Sequence, residues 1–368
     1  MRIFIVCPTL NHGGAERLAT LWASGFANQG KQVIVVANIG KDIAYSLPDN
    51  VELLPLSPNK NNKVLKYVMA IRMLRSYYKK YKPDVIIGVM YACSLIAKIA
   101  ELGMQIPVIN TEHNSFERPQ QQPMSLIDKI AKFWLNYIYD GLTVLTKADA
   151  KVLNGRFRNV FVMPNLTFLT PLETVPNNEN IVLAAGRLDA WEYKGFDVLI
   201  RAWGIIIQRL RSIVQREGWK LQIAGTGSKE NFNYLKQLCK ENGVEDSVEL
   251  LGFQKDIETL YKRASIFVLS SRYEAFGMVL IEAMSQGCAC VACDYKGRQK
   301  DIIGNEENGL LCVPDNEKTL AECISSLLEN QLSRSNIQHA SLKRAKDFSL
   351  DSIMDKWNIF LNDILNHK

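Results

Sequence analysis

The stretch SIFVLSSRYEAFGMVLIEAMSQG, residues 265–287, joins an apolar run to a helical pattern through a polar loop. The run SIFVLS is typical of a buried strand, and MVLIEAMSQG has the spacing of a helix that ends at Gly287. Two carboxylates belong to this unit. Glu274 lies in the loop before the helix, and Glu282 lies within the apolar helix. A strand, a loop and a helix in this order indicate an αβ unit whose polar loop follows the carboxyl end of a strand.

The same order of an apolar run and a helical pattern recurs in both halves of the chain. Runs typical of buried strands are RIFIVCPTL, QVIVVANIG, VIIGVM, PVINTEHN and GLTVLT in the first half, and IVLAAGRL, KLQIAGTG, SVELLGF and ACVACD in the second. Continuous apolar strands that alternate with helices predict parallel sheets covered by helices on both faces. Residues 165–180 are rich in Pro, Thr and Asn and have little periodicity, which indicates an interdomain linker.

The sequence therefore predicts an α/β protein with two Rossmann-like domains that face a cleft. The predicted boundaries are 1–166 for the first domain and 167–349 for the second. The length of 368 residues suits two domains of ordinary size. In open αβ sheets, ligands bind at the carboxyl ends of the strands, so the loops after the strands are expected to hold the chemistry.

The composition is typical of a soluble globular protein. Hydrophobic residues make up 47% of the chain and charged residues 22%, and no apolar run is long enough to predict a membrane span. The first residues, MRIFIVCPTL, lead directly into a strand pattern and do not resemble a signal peptide. Most of the eight cysteines lie in apolar stretches, which favours buried thiols in a reducing cytoplasm. Cys288, Cys290 and Cys293 lack the paired spacing of a zinc site, so no metal site is predicted.

One segment is strongly basic, although the net charge of +6 is mild. No acidic residue lies between Glu52 and Asp84, and apolar residues recur there at helical spacing. The cations of this segment are Lys60, Lys63, Lys66, Arg72, Arg75, Lys79, Lys80 and Lys82. A basic amphipathic helix can lie on an anionic membrane surface, so 60–82 is a candidate for peripheral membrane contact. The alternative is a helix that packs its apolar face on a sheet. Nucleic acid is not predicted as a partner, because no binding motif accompanies the charge.

Two loops that contain glycines follow predicted strands. Gly13 and Gly14 lie in TLNHGGAER, between the first strand and the first helix, and Gly225 and Thr226 lie in QIAGTGS. Glycines let the backbone approach a ligand closely, and a helix N-terminus favours an anion. Neither loop has the G-x-G-x-x-G spacing of a dinucleotide site, so an ordinary turn and a nucleotide-binding loop both remain open.

Two cations stand at the opening of the second half, in AAGRLDAWEYKGFDVLIRAW. Arg187 follows a predicted strand, and Lys194 precedes Gly195 and the next helix. An arginine holds phosphate in a planar fork and a lysine acts as a point charge, so together they can bind a diphosphate. The alternative is a pair of surface cations.

The loop and helix of residues 271–287 add carboxylates and helix N-terminal amides to this set. Glu274 is expected at the edge of the sheet, directly before the helix. Amides that suit a phosphate are those near Gly277, Met278 and Val279. A carboxylate accepts hydrogen bonds from sugar hydroxyls, so Glu274 and Glu282 can hold a sugar and a ribose on either side of a diphosphate. Each glutamate alone can be a solvated charge, but the combination with the two cations favours a nucleotide-sugar site.

These motifs resemble those of retaining glycosyltransferases of the GT-B fold, in the E-x7-E group of glycosyltransferase family 4 (glycosyl transferases group 1). Glu274 and Glu282 have the E-x7-E spacing, and EAFGMVLIEAMSQG is similar to the family pattern E-x-F-G-…-E-A-M-…-G. GRLDAWEYKGFDVLIRAW is similar to the family segment G-R-…-K-G-…-L-…-A, with DAWEY as an insertion-like departure between Arg187 and Lys194. The resemblance covers essentially the whole chain, and GGAER near the N-terminus recurs in members that act on polysaccharides or lipid-linked sugars.

The resemblance implies a role for each matching residue in a glycosyltransferase whose donor is a nucleotide diphosphate sugar, with a UDP-sugar as the first expectation. Arg187 and Lys194 would bind the diphosphate and offset its charge. Glu274 would hold the donor sugar, and Glu282 would hold the ribose. The other donor residues would be Gly13, Gly14, Gly225, Thr226, Phe276, Gly277, Met278 and Val279. His113, in NTEHNSF, would lie near the donor sugar and the acceptor.

The resemblance also implies a retaining reaction that needs neither a metal nor a cofactor. The two cations and the helix N-terminus would stabilise the leaving diphosphate, and the sequence contains no D-x-D metal motif. The leaving phosphate oxygen would deprotonate the acceptor on the same face of the sugar. The acceptor is expected to be a saccharide or lipid-linked saccharide, handled in the cytoplasm or at the inner membrane face. In GT-B proteins the terminal helix crosses back to the first domain, as is expected here for 350–368.

Two other functions remain open from the sequence. A GT-B sugar-nucleotide epimerase shares the fold but rearranges its donor without an acceptor. The other alternative is a catalytically silent nucleotide-sugar binding protein, against which the presence of all four charged motif residues argues.

Overall fold

The structure of the chain is a computed structural model that describes residues 1–11, 13–38, 44–56, 63–119, 123–304 and 306–366. Lys60 and the start of the predicted basic segment lie outside the described residues. The chain divides into two compact units, one of Met1–Asn165 with Leu350–Lys368 and the other of Leu166–Ser349.

The first unit is built on a parallel sheet. Its strands within the described residues are β1 (Arg2–Thr9), β2 (Gln32–Asn38), β3 (Val51–Pro55), β4 (Val85–Val89), β5 (Val108–Thr111), β6 (Gly141–Val144) and β7 (Val160–Val162). Their order is β3-β2-β1-β4-β5-β6-β7. The order of strands reverses at β1, which pairs with β2 on one side and β4 on the other. Such a reversal is where open αβ sheets bind ligands.

Helices connect these strands. Within the described ranges they are α1 (Gly14–Asn28), α2 (Lys63–Tyr81), α3 (Met90–Glu101), α4 (Leu126–Phe133) and α5 (Lys147–Leu153). The basic helix α2 buries Ala70, Leu74 and Tyr78 in the core of the first unit, where the Tyr78 ring packs against Phe4 of β1. The interpretation of α2 as a helix packed on the sheet is therefore confirmed for its middle and end.

The second unit repeats the same plan. Its strands in the described chain are β8 (Glu179–Ala185), β9 (Lys220–Ala224), β10 (Val248–Gly252), β11 (Ala264–Leu269), β12 (Ala289–Cys293) and β13 (Leu310–Cys312), in the order β10-β9-β8-β11-β12-β13. Its helices there are α6 (Trp191–Lys194), α7 (Phe196–Glu217), α8 (Lys229–Glu241), α9 (Ile257–Arg263), α10 (Met278–Ser285), α11 (Glu317–Glu329) and α12 (Gln331–Ala345). The strand pairs of both sheets within the described residues are parallel, so the predicted α/β class with two parallel sheets is confirmed.

The terminal helix α13 (Leu350–Asn366) belongs to the first unit. Its Trp357 ring lies 5.1 Å from Trp22 and 5.9 Å from Phe26, both on α1. Its Phe360 ring stacks on Phe161 of β7 at 5.0 Å. The expected return of the chain to the first domain is therefore confirmed, and buried aromatic packing holds it there.

The segment that follows residue 165 is hydrogen-bonded to the second unit. The Thr167 amide donates to the Phe348 carbonyl at 2.8 Å, and the Leu172 amide donates to the Ser285 carbonyl at 2.9 Å. Gln286 Nε2 donates to the carbonyl of Thr170 at 3.0 Å. These contacts mean that the low-periodicity stretch is packed along one unit, which its composition did not predict.

The cysteines are free thiols, and all but Cys323 are buried. Cys293 and Cys312 face each other on paired strands, with their sulfur atoms 3.5 Å apart. Burial raises the pKa of Cys7 and Cys288, as an apolar environment does for any thiol. The prediction of buried thiols in apolar stretches is confirmed.

Candidate active site

Three neighbouring strands of the second sheet, β9, β8 and β11, end at one edge, and their loops carry most of the predicted donor residues. Residues 186–195 follow β8, residues 225–228 follow β9, and residues 270–277 follow β11. Because parallel strands end at the same edge of a sheet, these three loops lie side by side.

The loops after β8 and β9 interlock through their backbones. The Gly186 amide donates to the Ala224 carbonyl at 3.0 Å, and the Leu188 amide donates to the Thr226 carbonyl at 2.7 Å. A Cβ at Gly225 would stand only 1.7 Å from the carbonyl oxygen of Gly186, so this close approach requires a glycine. Gly225 and Thr226 are thereby placed against the loop that carries Arg187.

Lys194 and Glu274 are in contact at this edge. Lys194 Nζ lies 2.5 Å from Glu274 Oε1, and the two side chains are 24% and 16% exposed. Ser271 Oγ donates to the same carboxylate oxygen at 2.9 Å. The aliphatic part of Lys194 passes over Gly186, where a Cβ would lie 3.3 Å from its Cδ. The pair offers a ligand both a cation suited to phosphate and a carboxylate suited to sugar hydroxyls.

The backbone around Lys194 is held by the loop that carries Glu274. Gly195 has a left-handed φ of 64°, ends α6 and begins α7. A Cβ at Gly195 would stand 2.0 Å from the carbonyl oxygen of Ser270, and Ser270 Oγ donates to the Lys194 carbonyl at 2.8 Å. Both contacts set the Lys194 backbone against residue 270, so the distance between Lys194 and Glu274 is built into the fold.

Arg187 lies at the solvent-exposed surface of the same loop. The nearby Asp189 accepts hydrogen bonds from the Ser228 amide at 2.7 Å and from Asn231 Nδ2 at 2.8 Å. These hydrogen bonds lower the pKa of the Asp189 carboxyl, and the Arg187 charge adds to the effect. The DAWEY insertion therefore ties the Arg187 loop to the start of α8, and its Trp191 ring packs at a tilt against Tyr234, with centroids 4.4 Å apart.

The start of α10 presents backbone amides at the same edge. Gly277 precedes the helix, and the Leu280 amide already donates to the Gly277 carbonyl at 2.9 Å. The amides of Met278 and Val279 belong to the first turn, where a helix has no intrahelical acceptors for its donors. Phe276 is buried, and its carbonyl accepts a hydrogen bond from Gln299 Nε2 at 3.1 Å. The burial of Phe276 and the hydrogen bond from Gln299 thus fix the turn before α10.

Glu282 is partly buried on α10 and accepts a hydrogen bond from the Tyr261 hydroxyl at 3.2 Å. Tyr261 is fully buried, and burial raises its pKa, with the Glu282 charge adding to the effect. Tyr261 therefore acts as a fixed donor that orients the second glutamate of the E-x7-E pair. Nothing in the sequence around Tyr261 predicted this contact.

His113 lies in the first unit, in the loop after β5. Its Nε2 is 3.0 Å from Thr111 Oγ1, and its ring stacks on Trp22 with centroids 5.6 Å apart. Burial lowers the pKa of His113 to about 4, so the imidazole is neutral at pH 7. Its Nδ1 is buried and has no partner among the described residues.

A buried ion pair that sequence reasoning missed holds the His113 loop. Lys132 Nζ lies 3.5 Å from Glu112 Oε1, and both side chains are less than 5% exposed. Lys132 Nζ also donates to the carbonyls of Asn114 and Ser115, at 2.9 and 2.8 Å. Burial raises the pKa of Glu112 and lowers that of Lys132. Glu112 and Lys132 are far apart in sequence, so no local pattern indicated the pair.

Gly13 and Gly14 lie where the sequence predicted them, after β1 and at the N-terminus of α1. A Cβ at Gly13 would stand 2.1 Å from Glu16 Oε2, so the Glu16 carboxylate lies directly over this glycine. A carboxylate near the start of a helix stabilises it through the helix dipole. The chain's own anion therefore occupies the position beside Gly13 that was predicted for a ligand phosphate.

Arg272, between Ser271 and Glu274, forms hydrogen bonds to several segments of this edge, and sequence reasoning gave it no role. Its NH1 and NH2 donate to the two carboxylate oxygens of Asp197 at 2.7 and 2.9 Å, and its Nε donates to Asp315 Oδ1 at 2.8 Å. NH1 also donates to the Glu192 carbonyl, and the Arg272 amide donates to the Tyr193 carbonyl at 2.8 Å. Arg272 thus joins the segments on both sides of Lys194 to the loop of Glu274.

Two family models match almost all of this chain. The model described as Glycosyltransferase Family 4 matches residues 12–166, and the model described as Glycosyl transferases group 1 matches residues 171–344. The chain belongs to glycosyltransferase family 4. The protein is therefore a glycosyltransferase, and its second matched segment contains every predicted donor residue of the second unit.

This glycosyltransferase is similar over its full length to bacterial relatives. One is the GalNAc-alpha-(1->4)-GalNAc-alpha-(1->3)-diNAcBac-PP-undecaprenol alpha-1,4-N-acetyl-D-galactosaminyltransferase of Campylobacter jejuni, 26% identical over 377 residues, which cover 100% of this chain and 99% of that protein. Another is an uncharacterized glycosyltransferase of Haemophilus influenzae, 26% identical over 96% of this chain and 98% of that protein.

Solved structures show the same fold at lower identity. The sucrose-phosphate synthase of Thermosynechococcus elongatus has a TM-score of 0.79 at 18% identity and covers 100% of both chains. The lipopolysaccharide outer core galactosyltransferase WaaB has a TM-score of 0.77 at 18% identity and covers 99% of both chains. The predicted GT-B fold of this glycosyltransferase is confirmed.

No helix in the described parts of the glycosyltransferase is both long and apolar enough to cross a membrane. Among the same residues, no group of three or more His, Cys, Asp or Glu side chains is arranged to hold a metal ion.

Proposed function

We propose that this glycosyltransferase moves a sugar from a nucleotide diphosphate sugar to a saccharide or lipid-linked saccharide acceptor, with retention of the anomeric configuration. The observation that carries the proposal is the contact of Lys194 with Glu274 at the carboxyl edge of the second sheet. A cation and a carboxylate within one hydrogen-bond distance match a donor that places a sugar next to a diphosphate.

On this proposal, each group of the second unit binds one part of the donor. Lys194 and Arg187 bind the diphosphate, with the first-turn amides of α10 as further donors to its oxygens. Glu274 binds hydroxyls of the transferred sugar, and Glu282, oriented by Tyr261, binds the ribose. The remaining proposed donor contacts are the backbone at Gly225 and Thr226 and the turn of Phe276 and Gly277.

The first unit contributes to donor and acceptor binding on the same proposal. His113 is neutral at pH 7, so it can donate one hydrogen bond and accept another without adding charge. For Gly13 and Gly14 to approach a donor phosphate, the Glu16 carboxylate has to turn away from the helix N-terminus. A change of the Glu16 rotamer costs little compared with a backbone movement.

The proposed reaction needs no metal and no protein base. The bond from the anomeric carbon to the diphosphate oxygen breaks, and a bond from that carbon to the acceptor oxygen forms on the same face. The acceptor proton passes to the leaving phosphate oxygen. Lys194, Arg187 and the start of α10 stabilise the charge that develops on the diphosphate, as preorganised donors do in other active sites.

The full-length relatives support the choice of acceptor. The name of the Campylobacter jejuni relative describes a saccharide linked through a diphosphate to undecaprenol. A second Campylobacter jejuni relative, 24% identical over 94% of this chain, also has a diphospho-undecaprenol-linked acceptor in its name. We therefore propose that the acceptor is lipid-linked and that the enzyme contributes to a cell-surface polysaccharide or glycan.

A nucleotide thermal-shift series tests the donor site. Because HepE of Anabaena and TarM of Staphylococcus aureus were solved with UDP, UDP is the first nucleotide to test, with GDP and ADP beside it. In the presence of EDTA, a nucleotide at 100 times its Kd is expected to stabilise the enzyme by about 2.7 kcal/mol. For a unit of this size that is an increase in Tm of roughly 5–11 °C.

The same series with Lys194→Ala is the control, and its shift is expected to be smaller at equal nucleotide concentration. Absence of a shift with every nucleotide and its sugar conjugates would contradict the proposed donor site. A shift that EDTA removes would contradict the metal-free reaction but leave the nucleotide site intact.

The basic helix α2 supports a peripheral contact with an anionic membrane as part of this proposal. Arg72, Lys79 and Lys80 on the helix and Lys82 directly after it are exposed, and no acidic residue lies among residues 63–82. Each lysine near an anionic surface contributes about 1 kcal/mol to binding. The cations at positions 72, 79 and 80 alternate along α2 with the buried residues Ala70, Leu74 and Tyr78.

Reversing three of these charges tests the contact. The triple variant Lys79→Glu, Lys80→Glu, Lys82→Glu is expected to bind vesicles that contain phosphatidylglycerol at least about 100-fold more weakly than the unchanged enzyme. The matched control reverses Lys229, Lys236 and Lys240, which are exposed on α8 of the second unit, and changes the net charge equally. Equal loss of binding in both triple variants would show an effect of net charge only and would contradict a specific membrane contact through α2.

A further inference from the structure

The outer face of α4 and of the turn after it exposes large apolar side chains. Leu126, Ile127, Ile130, Trp134 and Tyr137, which we call the α4 surface, are 73%, 69%, 44%, 64% and 57% exposed. Leu126 and Ile130 lie four residues apart in α4, so they share one side of that helix, and Trp134 and Tyr137 follow in the turn after it. Single exposed apolar residues are ordinary on proteins, but five large ones within twelve residues of the chain favour an interaction surface.

The opposite face of α4 is already occupied. Ala131 and Lys132 are buried, and the Phe133 ring packs edge-on against Phe116 at 5.7 Å. Ser125 caps the helix by accepting a hydrogen bond from the Asp128 amide at 3.1 Å. The helix is therefore held in place without any contribution from its outer residues, and their apolar character needs another explanation.

A second group of exposed apolar side chains lies on the first turns of α2. Val64, Leu65 and Val68 at this end are 72%, 45% and 40% exposed. Both helices, α2 and α4, belong to the first unit, so the two exposed apolar groups are parts of one compact body.

Cations and amphipathic aromatic rings border this apolar group. The Arg156 guanidinium lies 5.1 Å above the Trp134 ring, and its Nε donates to the Tyr137 hydroxyl at 3.2 Å. Lys129 is exposed on α4, and α2 carries cations but no acidic residue. Trp and Tyr are enriched at the boundary between hydrocarbon and water, and cations there attract anionic head groups.

We propose that the α4 surface inserts into the interface of an anionic lipid bilayer, with Leu126 and Ile127 entering the acyl region and Trp134 and Tyr137 lying at head-group level. The combination of an apolar centre with cations and indole and phenol rings at its edge fits a bilayer better than a protein partner. The inference deepens the proposed function and rests on it for a lipid-linked acceptor. It assigns insertion to α4, whereas the cations of α2 act from the head-group side.

The test is vesicle binding of the double variant Leu126→Glu, Ile127→Glu, measured by co-sedimentation without donor or acceptor. Vesicles of phosphatidylcholine with phosphatidylglycerol are compared with phosphatidylcholine alone. The variant is expected to bind the anionic vesicles at least about 100-fold more weakly than wild type, because two apolar side chains no longer leave water. The matched control is Leu332→Glu, Phe253→Glu in the second unit, where the two residues are 73% and 70% exposed, and its binding is expected to be unchanged.

Several outcomes would overturn the inference. One is wild-type enzyme that does not bind the anionic vesicles, and another is a double variant that binds them as well as wild type does. A third is a wild-type dimer in light scattering that the double variant loses while vesicle binding stays the same, because the surface then covers a second copy. Each variant is expected to fold as wild type does, because the changed side chains are exposed. Circular dichroism and Tm check this.

The outcome is separable from that of the proposed function. The Leu126→Glu, Ile127→Glu variant is expected to keep wild-type kcat with a water-soluble acceptor saccharide, because neither residue lies at the carboxyl edge of the second sheet. Vesicle binding without any transfer to saccharide acceptors would refute the proposed transferase reaction alone. Transfer without vesicle binding would refute the bilayer contact alone.

Discussion

Replacing Glu274 by Ala is expected to lower the rate of sugar transfer by about 10²–10³-fold while the affinity for the free nucleoside diphosphate stays within a few-fold of wild type. Glu274 is proposed to bind the hydroxyls of the transferred sugar, which the free nucleotide lacks. Its contact with Lys194 is the closest approach of opposite charges between the proposed sugar and phosphate subsites. A residue that contacts only the sugar affects transfer without weakening the nucleotide contacts.

The Lys194 side chain makes the comparison sharper. When Glu274 is removed, the ammonium group loses its carboxylate partner and remains available for a phosphate. Nucleoside diphosphate affinity is therefore expected to be equal or slightly higher in Glu274→Ala. In Lys194→Ala the affinity falls together with the rate, because the proposed phosphate contact is lost.

The measurement is kcat with saturating donor and acceptor, together with calorimetric Kd values for the nucleoside diphosphate. Glu274→Gln keeps the size of the side chain and tests the charge, and Glu245→Ala, an exposed carboxylate of the second unit, is the control. A wild-type kcat in Glu274→Ala would contradict the proposed role of Glu274 in binding the sugar. A loss of nucleotide affinity as large as the loss of rate would place Glu274 in the phosphate subsite instead.

Replacing Arg272 by Ala is expected to destabilise the enzyme by about 3 kcal/mol. For a unit of this size that corresponds to a fall in Tm of roughly 6–12 °C. The Asp197 side chain is only 6% exposed, and in this variant it keeps Arg201 as its neighbour but loses the bidentate fork of Arg272. Breaking a partly buried pair by removing one partner leaves an incompletely compensated charge, which is the costly case.

Arg263→Ala is the matched control for this loss. Arg263 also binds a carboxylate with two nitrogens, since its Nε and NH2 donate to Glu179 at 2.6 and 2.9 Å. That pair is exposed, with side chains 44% and 52% accessible, so its loss is expected to cost less than about 1 kcal/mol. Equal destabilisation by Arg272→Ala and Arg263→Ala would contradict a larger stability contribution of the partly buried Arg272–Asp197 pair.

The free energy of unfolding of wild type and of Arg272→Ala as a function of pH provides a second readout. Burial acts to raise the pKa of Asp197, but the hydrogen bonds and charge of Arg272, with help from Arg201, outweigh it and hold the pKa below its ordinary value. A carboxyl with a depressed folded-state pKa contributes stability above its ordinary pKa of about 4, and this contribution is lost as the pH falls through the lower folded value. The stability difference between wild type and Arg272→Ala is therefore expected to narrow below about pH 4.

Arg272 is a positioning residue for the proposed site, and its kinetic effect separates this role from stability. Assayed well below the Tm of either variant, Arg272→Ala is expected to lower kcat by at least about tenfold, because it joins the segments beside Lys194 to the Glu274 loop. Arg272→Lys keeps the charge but not the planar fork, so only partial rescue is expected. Effects that simply add in the Lys194→Ala, Arg272→Ala double variant would indicate that Arg272 does not act through Lys194.

Much of the fold follows from local patterns that the sequence displays. Continuous apolar runs such as SIFVLS can satisfy both faces of a strand only inside a covered parallel sheet, and β11 is buried along its whole length. The amphipathic end of the chain, with Trp357 and Phe360 at helical spacing, indicated a helix that had to pack on a partner. Its partner was expected from the family resemblance, and the structure shows it as α1 and β7.

The candidate site was predictable only in part. The positions of Lys194 and Glu274 after neighbouring strands placed them at one edge, because all strands of a parallel sheet end on the same side. By contrast, the partners that hold these residues are set by side-chain geometry. The Arg272 fork, the Tyr261 contact to Glu282 and the Glu112–Lys132 pair join residues that are distant in sequence, so no periodicity could indicate them.

The basic helix α2 shows the same division. Its charge and amphipathic spacing were visible in the sequence and left both a packed helix and a membrane contact open. The structure shows the packed part, because Leu74 and Tyr78 are buried in the core of the first unit while Val64 and Leu65 are exposed. The membrane contact stays a proposal. Whether an apolar residue is buried depends on what stands opposite it, which a one-dimensional pattern does not contain.

The sequence by itself determined that this protein is a two-unit α/β glycosyltransferase with cations and carboxylates after its strands, because strand and helix periodicities and short motifs are local properties of the chain. Only the tertiary structure decided that Lys194 contacts Glu274, that Glu16 covers Gly13 and that α4 turns its apolar residues outwards. The contact of Lys194 with Glu274 depends on the distance between segments that meet only after the second sheet has formed. The position of Glu16 depends on its side-chain rotamer at the start of α1, and the exposure of α4 depends on which of its faces packs against the unit. Hydrogen bonds and ion pairs require such distances to within a few tenths of an ångström, a precision that no local pattern specifies.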